Sequence, residues 1–258
     1  KHETQDLTIE TIIKVIDTLH NHGFNDFKFT GGEPFSHPDI LDVLNYTDSL
    51  GISFDVSSNA SLITNTHLTS LSKLKHLKYV HVSIDGHDKT THEYVRGKNT
   101  FAPTLAGLLR LHEYNIPVRI GCVIHKGNQN KLEEMTRLAI KQQAKSIVFS
   151  MMHPAGRLPH NSSRLANIPE SELLRNLILL KNKYASKIEV SINLDDSTIY
   201  QQNTCPAGSR FIYVNHKGQF SPCTWLSDKD KTLWSMELTN AVSIEYACAT
   251  CCPAFKKS

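Results

Sequence analysis

The sequence predicts an α/β fold with a parallel sheet. Short apolar runs bounded by turn residues alternate with longer segments in which apolar residues recur at helical spacing. One strand with the helix that follows it takes roughly 25 to 30 residues, a repeat that is typical of right-handed βαβ crossovers. The chain has 258 residues and is 40% hydrophobic, which is enough for one sizeable core and an appendage. The periodicity alone does not distinguish an open, doubly wound sheet from a barrel.

The first elements are a helix and a strand. A helix is predicted from Thr8 to His20, and a strand at 27–30 follows it. This strand runs into two glycines, an acid and a proline: Gly31, Gly32, Glu33 and Pro34. Glycines let a ligand approach the backbone, proline fixes the exit from the turn, and a carboxylate placed there can accept hydrogen bonds from an ammonium group. The alternative interpretation is an ordinary connection between a strand and a helix.

The remaining elements continue the alternation. Further strands are predicted at 52–57, 79–84, 118–124, 146–150 and 188–192. Further helices are predicted at 38–49, 64–74, 102–114, 130–142 and 169–184, with a long loop before the third of these. Small or polar residues follow the first five strands, at 30–34, 57–59, 83–86, 125–128 and 151–154. Since parallel sheets carry their chemistry at the carboxyl ends of the strands, these segments are the candidate site. A single polar strand end is equally well explained as a helix cap.

Composition and charge restrict the classes of partner. The formal net charge of +3 is small for this length and gives no reason to expect nucleic acid. No apolar run approaches the ~18 residues of a membrane span, and the polar N-terminus does not resemble a signal peptide, so a cytoplasmic protein is expected. The sequence lacks an initiator Met, which indicates a fragment or a missing preceding segment. It contains neither a Gly-x-Gly-x-x-Gly motif nor a Walker loop.

Five of the six cysteines lie in the last quarter of the chain. Cys205 and Cys223 flank a predicted hairpin with a turn at 215–218, and Cys248 and Cys251 form a Cys-x2-Cys pair. Four thiolates in this arrangement can close tetrahedrally on one site, and their spacing fits zinc as well as an iron–sulfur cluster. Cys122 stands alone in a predicted strand and is expected to be a buried, small hydrophobic residue.

Taken in order, these motifs resemble the radical S-adenosylmethionine (SAM) enzymes, in the branch that carries a C-terminal SPASM or twitch extension. Residues 31–34 are similar to that family's methionine-binding motif, and 83–86 to its ribose-binding strand end. Residues 58–60 resemble Thr-Asn-Gly, with Ala60 in place of the glycine. Residues 94–97 resemble an Arg-Gly element, and 153–157 a Pro-x-Gly-Arg segment. The resemblance covers nearly the whole chain.

The resemblance implies a fold and a domain organisation. The expected fold is a partial, TIM-like (β/α)6 barrel at 1–193 with a small cysteine-rich SPASM or twitch domain at 194–258. One departure is serious, because the family's Cys-x3-Cys-x2-Cys motif for the catalytic [4Fe–4S] cluster is absent from this sequence. The first strand and its cluster loop are therefore expected to precede Lys1. The alternative is a degenerate relative without radical chemistry.

The resemblance also implies a site. Gly31, Gly32, Glu33 and Pro34 would hold the methionine part of SAM, and Ser83 and Asp85 would face its ribose. Asn59 and Arg96 are further candidates for the SAM carboxylate or for neighbouring polar contacts. Cys205, Cys223, Cys248 and Cys251 would bind one auxiliary [4Fe–4S] cluster, as in the one-cluster twitch form. Cys252 is then either a spare thiol or part of a second site completed beyond Ser258.

The activity that the resemblance implies is that of an oxidoreductase or maturase. Such enzymes use a 5′-deoxyadenosyl radical to abstract a hydrogen atom, most often from a ribosomally made peptide that is cross-linked, epimerised or oxidised. A dehydrogenase or maturase for a carbohydrate-like or tetrapyrrole small molecule is the first alternative, and a non-catalytic, zinc-stabilised binding protein is the second. The expected partners are the substrate and an electron donor such as flavodoxin or ferredoxin, without nucleic acid or membrane.

Overall fold

A computed structural model of the 258-residue chain describes residues 6–152, 163–193 and 212–221. The chain divides into two compact units. The larger unit comprises Asn25–Leu194, and the smaller one comprises Lys1–Phe24 together with Asp195–Ser258. The functional domains expected from the sequence, 1–193 and 194–258, stay a prediction.

The larger unit is built on a six-stranded sheet in which every neighbouring pair is parallel. The strands are β1 (Asp26–Phe29), β2 (Ser53–Ser58), β3 (Leu77–Ser83), β4 (Val118–Ile124), β5 (Ser146–Met151) and β6 (Glu189–Asn193). Their spatial order is the order of the sequence. A doubly wound sheet would reverse its strand order at a switch point, whereas a barrel adds each strand beside the previous one. The predicted partial barrel is thus confirmed.

Helices connect the strands of this unit. They are α2 (Ile40–Ser49), α3 (Asn65–Leu71), α4 (Lys89–Arg96), α5 (Phe101–Glu113), α6 (Leu132–Lys141) and α7 (Glu170–Tyr184), with a 3₁₀ turn at Pro34–Ser36. Five of the helices match the predicted segments, but α4 lies where a loop was predicted. Its eight polar-rich residues show no apolar repeat, so periodicity could not reveal it. The helix is instead defined by its cap, because the Asp88 side chain accepts a hydrogen bond from the Thr91 amide at 2.8 Å.

The two faces of the sheet differ in chemistry because side chains alternate along each strand. One face is apolar and packs with the helices into a single core that contains Val56, Val82, Ile120, Ile147 and Val190. The opposite face carries mostly polar side chains at the intervening positions, with Val123 and Val148 as exceptions. The members of this polar face used below are Asp55, Tyr79, His81, Arg119 and Ser146.

The smaller unit contains α1 (Ile9–Asn21) and a hairpin of β7 (Tyr213–Val214) and β8 (Phe220–Ser221). The Asn215 side-chain oxygen holds the turn by accepting hydrogen bonds from the Lys217 and Gln219 amides at 2.9 and 3.0 Å. The predicted hairpin is therefore present. Among the helices of the described residues, none has the length and apolarity needed to cross a membrane.

Candidate active site

The glycine turn after β1 has free space beside its backbone, and the Glu33 carboxylate fixes the segment that follows it. Gly31 has a φ of 154°, which favours glycine, and a side chain at Gly31 or Gly32 would meet no other atom within 4 Å. Glu33 caps the 3₁₀ turn that follows by accepting a hydrogen bond from the Phe35 amide at 3.3 Å. The glycine backbone is accordingly accessible to a ligand beside a fixed carboxylate.

Glu33 joins the ends of β1 and β2. Its Oε1 accepts a hydrogen bond from the Ser58 hydroxyl at 2.6 Å, and its Oε2 accepts one from the Asn59 amide at 2.8 Å. Each carboxylate oxygen can accept two hydrogen bonds. Oε1 receives bonds from Ser58 and Phe35, whereas Oε2 receives one from the described residues, so Oε2 keeps an acceptor position for a ligand.

The turn after β2 is constrained by short-range hydrogen bonds. The Ser58 hydroxyl also accepts a bond from the Ala60 amide at 2.8 Å, and the Asn59 side-chain oxygen accepts bonds from the Ser61 amide and hydroxyl. Ala60 is buried with a φ of 62°, a left-handed conformation that a residue with a Cβ seldom adopts. Gly107 of α5 packs so tightly against it that a Cβ there would overlap the Ala60 carbonyl oxygen. The alanine at the predicted glycine position therefore keeps the glycine-type backbone.

Asp85, directly beyond β3, is 2% exposed, and its carboxylate is used by the protein itself. One oxygen accepts a hydrogen bond from Arg96 Nε at 2.5 Å, and the other accepts one from the Val123 amide at 2.8 Å. The ion pair links the end of β3 to the end of α4, and the amide bond links it to β4. The structure thus places Asp85 as an anchor for Arg96, with Ser83 two residues before it on a half-buried position.

Arg96 presents the rest of its guanidinium group beyond this anchor. Its side chain is 33% exposed, and among the described residues only its Nε is engaged, by Asp85. The two terminal nitrogens are donors that suit a carboxylate. The anchored arginine therefore offers donors that suit a carboxylate, in agreement with the role that the resemblance implies.

Two histidines and an asparagine hold the backbone of Asp85. His125 Nε2 lies 3.0 Å from the Asp85 carbonyl oxygen while its Nδ1 accepts from the Gly127 amide, which defines a neutral tautomer with the proton on Nε2. Asn128 donates to the same carbonyl at 2.9 Å, and His92 Nδ1 accepts from the Asp85 amide at 3.3 Å. Burial lowers the pKa of both His92 and His125, which favours these neutral forms. Sequence reasoning marked the segment at 125–128 but gave no signal for His92.

Of the cysteines and motif residues that remain, only some lie among the residues that the structure describes. Cys205, Cys223, Cys248 and Cys251, like the segment 153–157, lie outside the described residues. Cys122 is completely buried, as expected, and burial raises the pKa of its thiol. Within the described part of the chain, no group of three metal-binding side chains occurs.

Comparison with known proteins identifies the family. A family model described as the Radical SAM superfamily matches residues 1–139. The chain belongs to the radical SAM superfamily. This match includes the Gly31–Pro34 turn, Asn59, Ser83, Asp85 and Arg96, so the resemblance seen in the motifs is confirmed at the level of the family.

Characterised radical SAM proteins resemble the chain at low identity. The AdoMet-dependent heme synthase of Nitratidesulfovibrio vulgaris is 24% identical over 234 residues, covering 82% of this chain and 64% of the relative. The subtilosin biosynthesis protein AlbA of Bacillus subtilis is 23% identical over 218 residues, covering 84% of this chain and 48% of the relative. The chain therefore spans about half to two thirds of the length of these relatives.

A solved structure agrees with the fold. The crystal structure of Streptococcus suis SuiB bound to S-adenosylmethionine matches with a TM-score of 0.75 at 15% identity, covering 95% of this chain and 59% of that chain. At this identity the match establishes the radical SAM fold and nothing further about the site.

Proposed function

We propose that the chain contains the SAM-binding barrel of a radical SAM enzyme that modifies a ribosomally made peptide. The observation that carries this proposal is Glu33, which bridges two strand ends beside an open glycine turn and keeps an acceptor position on Oε2. An ammonium group is the ligand that such a carboxylate suits, and the backbone of Gly31 and Gly32 leaves room for it.

The other residues at this edge fit the same cofactor. Arg96, anchored by Asp85, offers two nitrogen donors to the carboxylate of an amino acid, and Asn59 is the neighbouring polar group. Ser83 remains the candidate on β3 for the ribose, while Asp85 would act on that side mainly by holding Arg96. When bound, SAM and a reduced [4Fe–4S] cluster supply a 5′-deoxyadenosyl radical that abstracts a hydrogen atom from the substrate. The chain's own residues bind and orient the cofactor.

The clusters belong to the proposal. Cys205, Cys223, Cys248 and Cys251 are proposed as ligands of an auxiliary [4Fe–4S] cluster. A catalytic [4Fe–4S] cluster, for which this sequence contains no Cys-x3-Cys-x2-Cys motif, is part of the same proposal. In this proposal, the protein is cytoplasmic and flavodoxin or ferredoxin supplies the electron that reduces the catalytic cluster.

The preference for a peptide substrate is supported by relatives. They include AlbA, the sporulation killing factor maturation protein SkfB and a PqqA peptide cyclase, and one structure shows SuiB bound to its precursor peptide SuiA. A small-molecule substrate is the second candidate, because several AdoMet-dependent heme synthases are also among the relatives. Co-expression with a short precursor peptide, followed by mass spectrometry, separates the two.

The activity is tested on the full-length protein after anaerobic cluster reconstitution. Iron, sulfide and zinc are measured first, and 5′-deoxyadenosine release from SAM is then measured with a chemical reductant. We expect about four irons for each cubane cluster and reductant-dependent 5′-deoxyadenosine. Zinc without iron, together with no 5′-deoxyadenosine, would contradict the proposal and favour the binding-protein alternative.

Glu33→Gln tests the cofactor site directly. Losing one charge-assisted hydrogen bond costs about 1.5–3 kcal/mol, so SAM binding measured by calorimetry should weaken roughly 10- to 150-fold. Glu134→Gln on α6 is the matched control, because Glu134 pairs only with the neighbouring Lys131 among the described residues. Melting temperatures of both variants show whether Glu33→Gln also loosens the two strand ends. Unchanged SAM affinity in a folded Glu33→Gln protein would remove Glu33 from the site.

A further inference from the structure

The polar face of the sheet carries an arginine in a fixed orientation. Arg119 on β4 donates from Nη1 to the Tyr79 hydroxyl at 2.6 Å and from Nε to the Ser146 hydroxyl at 2.8 Å. Its guanidinium carbon lies 4.0 Å from the centre of the Tyr79 ring. Contacts to β3 and β5 thereby hold a side chain that is otherwise long and mobile. Nη2 donates to no group among the described residues.

Arg119 is held by neutral groups. Among the described residues it forms no ion pair, since Tyr79 and Ser146 are uncharged partners. Asp55 is an acid on this face; it is 6% exposed, and its Oδ1 lies 3.8 Å from Lys28 Nζ. Asp55 Oδ1 has no hydrogen-bond partner among the described residues, and burial raises the pKa of its carboxyl group.

His81 lies beside Arg119 on the same face. The two residues are register partners on β3 and β4, and the His81 ring covers Gly121, where a Cβ would overlap it. Glycine is required there because the imidazole lies against the β4 backbone. No hydrogen bond to either ring nitrogen is found among the described residues. Burial and the positive charges of Lys28, Arg119 and Arg96 lower the pKa of His81 to about 3, which makes it a neutral imidazole in a positive field.

A fixed guanidinium group with a spare nitrogen, next to a neutral imidazole without a partner, suits an anion. A carboxylate fits this pair best, because the spare Nη2 presents two N–H donors of a charged group and the imidazole N–H adds a third donor. His81 precedes Ser83 by two residues on the same strand and face. Arg119 is the second residue of β4 and its partner Ser146 is the first residue of β5, so the pair lies on the polar face towards the amino-terminal side of the predicted cofactor edge.

We propose that Arg119 and His81 bind a carboxylate of the substrate on the polar face of the barrel. This inference rests on the proposed function, because it assigns the substrate a negatively charged group that binds on the polar face of the radical SAM barrel. The carboxylate would belong either to an acidic side chain of a peptide or to a small-molecule acid. Tyr79 and Ser146 are positioning residues that keep Arg119 in place.

The test uses the reconstituted full-length protein and ligand-observed NMR under anaerobic conditions. The probes are an acetylated, amidated Ala-Ala-Glu-Ala-Ala peptide, the same peptide with Gln for Glu, propionate, propionamide and inorganic phosphate. We expect the Glu peptide or propionate to bind at least tenfold more tightly than its uncharged counterpart. Peptide binding much tighter than propionate binding identifies a peptide substrate, whereas similar affinities identify a small acid.

Two variants and one control connect binding to the proposed residues. Arg119→Gln should lower carboxylate affinity at least tenfold, and His81→Gln should lower it severalfold. Arg137→Gln on α6, whose partners are Glu133 and the Tyr184 hydroxyl, should leave it unchanged. If Arg119→Gln does not fold, as judged by its melting temperature, His81→Gln still decides the question. Equal affinity for charged and uncharged probes, stronger binding of phosphate than of either carboxylate, or carboxylate binding that neither variant weakens would overturn the inference.

The experiment separates this inference from the proposed function. Reductant-dependent 5′-deoxyadenosine from the wild-type protein, with no preference for carboxylates, would refute the carboxylate site and leave the radical SAM activity intact. Absence of 5′-deoxyadenosine together with Arg119-dependent carboxylate binding would refute the proposed activity but establish the site.

Discussion

Removing the carboxylate of Asp85 should destabilise the barrel more than removing its charge. Asp85→Ala deletes both acceptors, so the Val123 amide and the Arg96 guanidinium group lose their partner. Asp85→Asn keeps a carbonyl oxygen for the Val123 amide but places an amide group where Arg96 needs an anion. The two variants thereby separate the backbone bond from the ion pair.

The magnitudes follow from burial. An unpaired buried amide costs about 1–3 kcal/mol, and Asp85 is 2% exposed, so the full range applies to Val123. Arg96 is 33% exposed and can be rehydrated, which limits the ion-pair contribution to about 1 kcal/mol. We therefore expect Asp85→Ala to lower the free energy of unfolding by about 2–4 kcal/mol, and Asp85→Asn by about 1 kcal/mol.

The assay is urea unfolding followed anaerobically by circular dichroism, with refolding checked for reversibility. Arg96→Ala is the companion variant, and in its background Asp85→Ala should cost about 1 kcal/mol less because the ion pair is already absent. A loss below about 0.5 kcal/mol for Asp85→Ala would refute the buried anchor. An equal loss for Asn and Ala would show that the Val123 bond contributes nothing.

Two further predictions concern packing and pH. Gly107→Ala should lower the free energy of unfolding by about 1–3 kcal/mol because its Cβ overlaps the Ala60 carbonyl oxygen, although alanine is the better helix former. Ala106 is exposed on the same helix, so Ala106→Gly measures helix propensity alone and should lower the free energy of unfolding by about 1 kcal/mol. A Gly107→Ala protein that is more stable than the wild type would contradict the close contact with Ala60. His81 has a pKa of about 3 in the folded protein, compared with 6.5 when it is unfolded. As the pH falls below 6.5, the unfolded state therefore binds the proton first, and the folded state loses free energy of stabilisation until the pH reaches about 3. Between pH 7 and pH 5 this amounts to about 2 kcal/mol, so His81→Gln should flatten the urea-measured pH dependence by that amount; an unchanged pH dependence would refute the low pKa.

The sequence predicted the barrel because its strands and helices follow simple periodic rules. All six strands lie within a few residues of the predicted segments, since a strand buried on its helix-facing side carries β-branched and aromatic residues at alternating positions. The turn at Gly31 and Gly32 was also predictable, because adjacent glycines followed by an acid and a proline leave few local conformations.

Contacts between distant segments could not be predicted in the same way. Asp85 was expected to face a ribose, and only the fold shows that Val123, 38 residues later, donates to its carboxylate. His81 looked like an ordinary strand residue until its ring was seen against Gly121 on the adjacent strand. Helix α4 was missed because its cap and its anchor to Asp85, rather than an apolar repeat, define it.

Ala60 explains why Glu33 has two roles. A left-handed alanine costs roughly 1–2 kcal/mol relative to an ordinary conformation, and the close approach of Gly107 leaves this backbone no room to relax. The compensation comes from the hydrogen bonds around it, in which Ser58 binds both the Ala60 amide and Glu33. The carboxylate proposed to bind a ligand is therefore also part of the network that stabilises a strained turn. Because of this coupling, ligand binding at Glu33 and stability at the ends of β1 and β2 should change together, which is why the affinity of any Glu33 variant has to be compared with its melting temperature.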